Sequence, residues 1–260
     1  MCTITAYRAK SSLLVTMNRD EYRTRAPEAP ARVHRGGEES PIWVAPVDSQ
    51  ARGTWMGAND RGVVACLTNY YRDDADDAEA PASQYAVKAT RGGIIPDLLA
   101  RGGAKEAESW LARDFDPSGY APFQLMVFSF DWAQVLTWNP EEGIARDRPL
   151  ICPASGWVMY SSSFWKPAQV SNWREREFKR WLNAGGRFEG EIPTYHLLHP
   201  EGAKEWAPLM SRDLAQTRSI TQALINRDKG VLEMRYWPDP MKTAPQTAAR
   251  IRLRLSSKDG

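Results

Sequence analysis

A chain of 260 residues is long enough for one large core, able to bury roughly three quarters of the surface that its unfolded form exposes. Hydrophobic residues at 42% and charged residues at 25% exclude a disordered or fibrous class, and the formal charge of +2 is too balanced for a nucleic-acid or anionic-membrane footprint. Three widely spaced cysteines, Cys2, Cys66 and Cys152, with no C-x-x-C pair, exclude a disulfide scaffold or structural zinc site and point to a reducing compartment.

The first elements read as a hairpin that begins at the second residue: Thr3 to Arg8 alternates polar and apolar positions, Lys10-Ser11 turns, and Ser12 to Met17 is an apolar run. Residues 23–40, rich in Pro, Gly and Arg, predict a surface loop. Strand character returns at Ile42 to Ala45, at Thr54 to Met56 and at Val63 to Tyr70, with residues 57–62 as a turn. The acidic cluster of Asp73, Asp74, Asp76, Asp77 and Glu79 lacks the spacing of a calcium loop and reads as solvated. Helical spacing follows over residues 83–100 and again over 104–114.

A second hairpin is expected from Gln124 to Phe130 and Gln134 to Trp138. Trp157 to Ser161 is a further strand, after which Ser171 is a candidate cap for a helix presenting Trp173, Phe178, Trp181 and Leu182, with another helix expected beside it. The chain closes on Ser219 to Asn226, Val231 to Trp237 and the alternating Ala249 to Leu255. Strands at both ends around helical blocks predict an α+β fold in one domain, residues 1–260, with helices covering two stacked antiparallel sheets. No apolar run approaches the roughly 18 residues of a membrane span, and no leader precedes the first strand, so a cytoplasmic location is expected.

Cys2 is the chemical landmark. If Met1 is removed, Cys2 carries both a thiol and a free α-amino group, and an amine of ordinary pKa roughly 7.7 to 8.0 can take the thiol proton near neutral pH. The run Asn18-Arg19-Asp20-Glu21 ends the second strand, where the Asp20 carboxylate can orient that amine and Arg19 can hold Asp20 or a substrate carboxylate. Trp55, in Gly53-Thr54-Trp55-Met56-Gly57, suits a pocket floor or a tight strand-turn with a packed indole. Arg218 suits an anion contact or a strand-end cap. His196 and His199 are three residues apart, but no third ligand accompanies them, and no metal site is expected.

Taken together, Met1-Cys2-Thr3, the Asn18–Glu21 run, the Gly53–Gly57 segment, the run from Arg61 to Tyr70 and Thr217-Arg218-Ser219 resemble the NRDE-motif family, also called the transport and Golgi organization protein 2 family. The resemblance spans nearly the whole chain. It implies a four-layer αββα sandwich related to N-terminal-nucleophile hydrolases, whose cysteine members include bile salt hydrolases and penicillin V acylases. Against those acylases Cys2 matches the nucleophile and Asp20 the aspartate of an Arg-x-x-Asp motif, while the motif's arginine falls at Met17, leaving Arg19 as the nearby replacement. Asn69 matches one oxyanion donor, and Ser162 stands where the other is an asparagine.

The catalytic candidates implied are thus Cys2, Arg19, Asp20, Asn69 and Ser162, and the substrate-facing candidates are Asn18, Trp55, Thr68, Tyr70 and Arg218. Two functions follow from the resemblance. One is hydrolysis of a linear C–N amide of a small molecule through a Cys2 thioester, requiring no cofactor. The other is carriage of an apolar or planar ligand, an acyl group or haem, in a pocket supplied by some of the eleven tryptophans.

Overall fold

The computed structural model describes residues 2–72, 89–147, 156–242 and 248–256. The opening hairpin forms as β1 (Cys2–Arg8) and β2 (Ser12–Tyr22), in antiparallel register with Cys2 opposite Arg19 and Ile4 opposite Met17. β2 continues past Met17, so the Asn18–Glu21 run lies within the strand and its side chains alternate between the two faces of the sheet.

Residues 23–40 hold one more element than the sequence suggested, β3 (Ala29–Arg35). Its Pro30 is tolerated because β3 is an edge strand whose register slips between Ala29 and Arg32, where a missing N–H leaves no central ladder bond unmade. β4 (Ile42–Val47) follows as expected. The next strand is displaced toward the expected turn: β5 is Met56–Asn59, and the chain reverses at Gly62, whose φ of +82° suits glycine. Gly57 can be a strand residue because no side chain fits there; a Cβ would come within 2.7 Å of Leu99 Cδ1. β6 (Val64–Asn69) pairs with β5.

Of the helix expected over residues 83–100, residues 83–88 lie outside the described set, as does the acidic cluster, and α1 is only Ile94–Leu99. α2 (Ala104–Arg113) forms where predicted, with Glu106 accepting from the Gly103 N–H at its start. β7 (Phe123–Phe128) and β8 (Ala133–Asn139) make the second hairpin, and β9 (Gly143–Asp147) extends it by a strand that carries no strong apolar signal.

β10 (Trp157–Ser162) leads into α3 (Pro167–Asn183). This helix starts four residues before Ser171, at a proline suited to the first turn. Short 3-10 turns at Thr194–Leu197 and Glu201–Ala203 occupy the place of the expected companion helix, around the small hairpin β11 (Phe188–Glu189) and β12 (Ile192–Pro193). The last strands are β13 (Ala215–Asn226), β14 (Val231–Pro238) and β15 (Ala249–Arg254).

The strands form two antiparallel sheets, ordered β10-β1-β2-β13-β14-β15 and β3-β4-β5-β6-β7-β8-β9. Their facing sides share one core, in which Ile4, Val15, Met17, Ala223 and Met234 of the first sheet meet Val44, Met56, Val64, Cys66 and Met126 of the second. α1 and α2 cover the outer face of the second sheet through Ile95, Leu98 and Leu111, while α3 covers the first through Phe178 and Trp181. The layers run helix, sheet, sheet, helix. No described helix is long and apolar enough to cross a membrane.

Candidate active site

Cys2 is the first residue of β1, and that strand lies between β2 and β10, so Cys2 has a direct neighbour on each side: Arg19 and Ser162. Directly opposed residues of an antiparallel pair point to the same face, with Cα atoms about 4.5 to 5.5 Å apart. Cys2 belongs to the core between the sheets, so the row Ser162–Cys2–Arg19 faces the second sheet.

The Cys2 thiol is almost covered, at 6% exposure. Burial pushes its pKa up and the charge of Asp20 adds to that, whereas the Arg19 guanidinium and a hydrogen bond from the Asp20 backbone N–H pull it down. Cys66 faces the same core from β6. Burial raises its thiol with no opposing cation or N–H, so the two cysteines differ in the help available to a thiolate.

Arg19 spans the gap between the sheets. Its guanidinium carbon sits 4.4 Å from the centroid of the Trp55 ring, and its nitrogens reach Glu28 at 2.7 Å, Asp48 at 3.1 Å and Glu21 at 3.3 Å. Asp48 is shared with Arg25 at 2.8 Å. Arg19 was expected to hold Asp20 or a substrate carboxylate. It does not reach Asp20, because adjacent strand residues face opposite ways, and three carboxylates already occupy its fork. It does share a face with Met17, one pleat along, and so stands on the same side of the sheet as the position where the acylases have their arginine.

Asp20 and Asn18 both face α3, behind Cys2. Asp20 accepts from Thr217 Oγ1 at 2.6 Å and from Arg174 Nη2 at 3.3 Å. Arg174, fully buried, also donates to the Cys2 carbonyl at 3.4 Å, Thr3 Oγ1 at 2.8 Å, Ser161 Oγ at 3.1 Å and the carbonyls of Trp206 and Ala207 at 2.9 and 3.0 Å. One guanidinium thus ties β1, β2 and β10 together at the back of the row. Sequence reasoning missed it, although Arg174 occupies the buried stripe of α3, four residues from both Val170 and Phe178.

Asn18, expected at the substrate, is corrected by the same alternation. Its amide donates to the carbonyls of His196 and Pro208 at 3.0 and 2.7 Å, and its Oδ1 lies 2.7 Å from His196 Nδ1. His196 Nε2 lies 2.7 Å from Thr5 Oγ1. Because an amide oxygen only accepts, the imidazole is neutral with its proton on Nδ1, and Thr5 donates to Nε2. Burial lowers its pKa to about 3.

The second sheet contributes the opposite wall. Trp55 joins the core that contains Cys2, and its approach is fixed by Gly53, where a Cβ would meet the Gly92 backbone at 2.5 Å. Thr68 is two residues beyond Cys66 on β6 and shares its face. Asn69 ends β6 with its side-chain amide donating to the Tyr71 hydroxyl at 2.7 Å. Tyr71, not foreseen from sequence, is a phenol raised by burial and close enough to Cys2, Arg91 and Glu21 to feel their charges. Phe164 packs between Tyr22 and Tyr71, with ring centroids 6.0 and 6.4 Å away. Tyr70 is half-buried, its N–H bonded to the Pro122 carbonyl at 3.3 Å. Arg218 lies at the bulge of β13 and donates to the Arg23 carbonyl at 3.2 Å, so the structure puts it at a strand-end contact rather than in the row beside Cys2.

Three of these side chains hold buried polar atoms with no hydrogen-bond partner among the described residues: Ser162 Oγ, Trp55 Nε1 and Thr68 Oγ1. Such atoms are uncommon in folded proteins, and a ligand or an ordered water is one way to match them. Among the described residues, no group of three or more His, Cys, Asp or Glu side chains could hold a metal ion.

The family model for transport and Golgi organisation 2 matches residues 1–227. The chain belongs to this family. No curated protein sequence matches it closely. Among solved structures, the Caenorhabditis elegans ortholog of N-acylethanolamine-hydrolyzing acid amidase superposes with a TM-score of 0.57 at 13% identity, over 85% of this chain and 92% of that one. A Clostridium perfringens conjugated bile acid hydrolase, as its C2A mutant, is similar with a TM-score of 0.49 at 13% identity, over 98% and 92%. This transport and Golgi organisation 2 member therefore has the α+β fold of N-terminal-nucleophile hydrolases, as its residues had implied.

Proposed function

We propose that this protein is a cysteine amidohydrolase that cleaves a linear C–N amide of a small molecule, with Cys2 as nucleophile once Met1 is removed. The observation that carries the reading is the row on the inner face of the first sheet, where Cys2 is paired with Arg19 on one side and on the other with Ser162, whose buried hydroxyl has no partner among the described residues. The likeness to an acid amidase structure supports the fold on which such a row would operate.

In this mechanism the α-amine of Cys2 takes the thiol proton, and the sulfur attacks the amide carbonyl carbon. Ser162 Oγ and the amide N–H of Asn69 not used by Tyr71 donate to the oxyanion, each such donor being worth roughly 3 to 4 kcal/mol. The C–N bond then breaks, the departing nitrogen takes the proton from the α-ammonium, and a thioester remains on Cys2. Water attacks that thioester, releasing the acid and restoring the thiol. Arg19 holds positive charge beside the thiolate, while Asp20, fixed by Arg174 and Thr217, sets the position of the strand start.

Two measurements test this. Intact mass should show Met1 absent, and alkylation with limiting iodoacetamide should modify Cys2 before Cys66 and Cys152. Incubation with an amide library should add an acyl mass to wild type and none to Cys2→Ala. Retention of Met1 in protein that turns over an amide would sink the mechanism. His196 offers haem no ligand, since both of its ring nitrogens bond within the fold, while His199 bonds the Leu209 carbonyl through Nδ1.

A further inference from the structure

Resting on the amidohydrolase reading, the front of the site also bears on what the acyl part of the substrate contains. Ser162 is accounted for by the oxyanion, but Trp55 Nε1 and Thr68 Oγ1 are two further polar atoms without partners, on residues only 6% and 3% exposed. Both lie on the inner side of the second sheet, in or next to the core cluster that contains the nucleophile. Trp55 packs in the cluster that contains Cys2 and lies under the guanidinium of Arg19, the direct neighbour of Cys2. Thr68 follows Cys66, a member of the same cluster, by one pleat.

An indole N–H only donates, so it can be matched only by an acceptor, and its burial without one carries a free-energy cost that a ligand oxygen would relieve. Arg19 does not offer that match to a substrate, since Glu21, Glu28 and Asp48 hold it. Beneath the row Ile4, Met17, Met56, Cys66 and Met126 have no accessible surface, so these residues line no open channel that could receive a long chain.

We infer that the substrate is an amide of a short acyl group bearing an oxygen acceptor next to its carbonyl, such as a 2-hydroxyacyl group, with Trp55 Nε1 donating to that oxygen and Thr68 Oγ1 bonding beside it. The scissile chemistry is unchanged: sulfur replaces nitrogen on the acyl carbon, and the extra oxygen takes no part in bond making.

The test uses the full chain and the p-nitroanilides of lactate, butanoate and decanoate, following nitroaniline release and the acyl mass on Cys2. Lactoyl transfer should exceed butanoyl transfer by at least about tenfold, the worth of one hydrogen bond, and decanoyl transfer should be undetectable. Trp55→Phe and Thr68→Val, each removing a polar atom at nearly constant shape, should each bring the lactoyl-to-butanoyl ratio down by about tenfold. Thr68→Val serves even where Trp55→Phe misfolds. Butanoyl or decanoyl transfer as fast as lactoyl, or a ratio unmoved by both variants, overturns this inference and leaves the amidohydrolase reading intact. Failure of every anilide to acylate Cys2 in protein lacking Met1 overturns both.

Discussion

The two sides of the first sheet at the start of β1, its back against α3 and its front against the second sheet, differ in how completely the polar groups along them are matched. On the back, Thr3, Thr5, Asn18 and Asp20 are locked to Arg174 or His196, and Thr217 to Asp20, by side-chain hydrogen bonds of 2.6 to 3.3 Å. On the front, Ser162, Trp55 and Thr68 hold buried polar atoms that bond to nothing among the described residues. A satisfied polar network gives a fixed geometry, whereas open donors on a rigid frame give capacity to bind. The difference teaches which residues of the Asn18–Glu21 run hold the nucleophile and which face the chemistry.

Breaking the back should have the largest effect. Arg174→Met leaves the Asp20 carboxylate buried without its cation, and loss of one partner of a buried pair costs about 3 to 5 kcal/mol. Urea denaturation should show that loss, and Asp20→Leu combined with Arg174→Met should recover much of it, since replacing both partners removes the unpaired charge. A double variant no more stable than the single would show that the fork's bonds to the Cys2 and Ala207 carbonyls, not the pairing with Asp20, are what matters.

The His196 end of the same face should respond to pH. Its folded pKa is lowered by burial to about 3 from an ordinary value of 6.5, so above pH 6.5 neither folded nor unfolded protein binds the proton and this group leaves stability unaffected. As pH falls below 6.5 the unfolded chain takes up a proton that the folded one refuses, and stability declines until the folded pKa is reached. Between pH 6.5 and pH 5 the loss is about 2 kcal/mol. His196→Gln should start less stable and show a flatter urea-midpoint profile over that window. An equally steep profile in the variant would place the acid sensitivity elsewhere.

How far all this was legible differs by level. The hairpin around Cys2 and the helix-sheet-sheet-helix order were readable because strand alternation and the spread of family motifs survive in a single sequence. The assignment of Asn18 to the substrate was not, because it depends on which face residue 2 takes, and register fixes that only when β10 and β2 close on β1. Arg174 was hidden because an arginine in an apolar stripe looks like solvent-facing charge until its six acceptors, drawn from four separate parts of the chain, are brought together. β3 was hidden by Pro30 and by its lying at an edge.

The sharpest form of the comparison compares hydroxyls of similar kind on opposite faces. Thr217 Oγ1 bonds to Asp20 at 2.6 Å and receives the Met210 N–H at 2.8 Å, so Thr217→Val strands two buried partners and should cost about 1 to 3 kcal/mol. Ser162 Oγ is equally buried but bonds to nothing, so Ser162→Ala removes an unmatched polar atom and should change stability by less than about 0.5 kcal/mol, in either direction. If the front face exists to receive an oxyanion, the stability-neutral Ser162→Ala should still slow Cys2 acylation by about a hundredfold. A large stability loss in Ser162→Ala would mean that its hydroxyl is held within the resting protein, and the contrast between the faces would vanish at the residue beside the nucleophile.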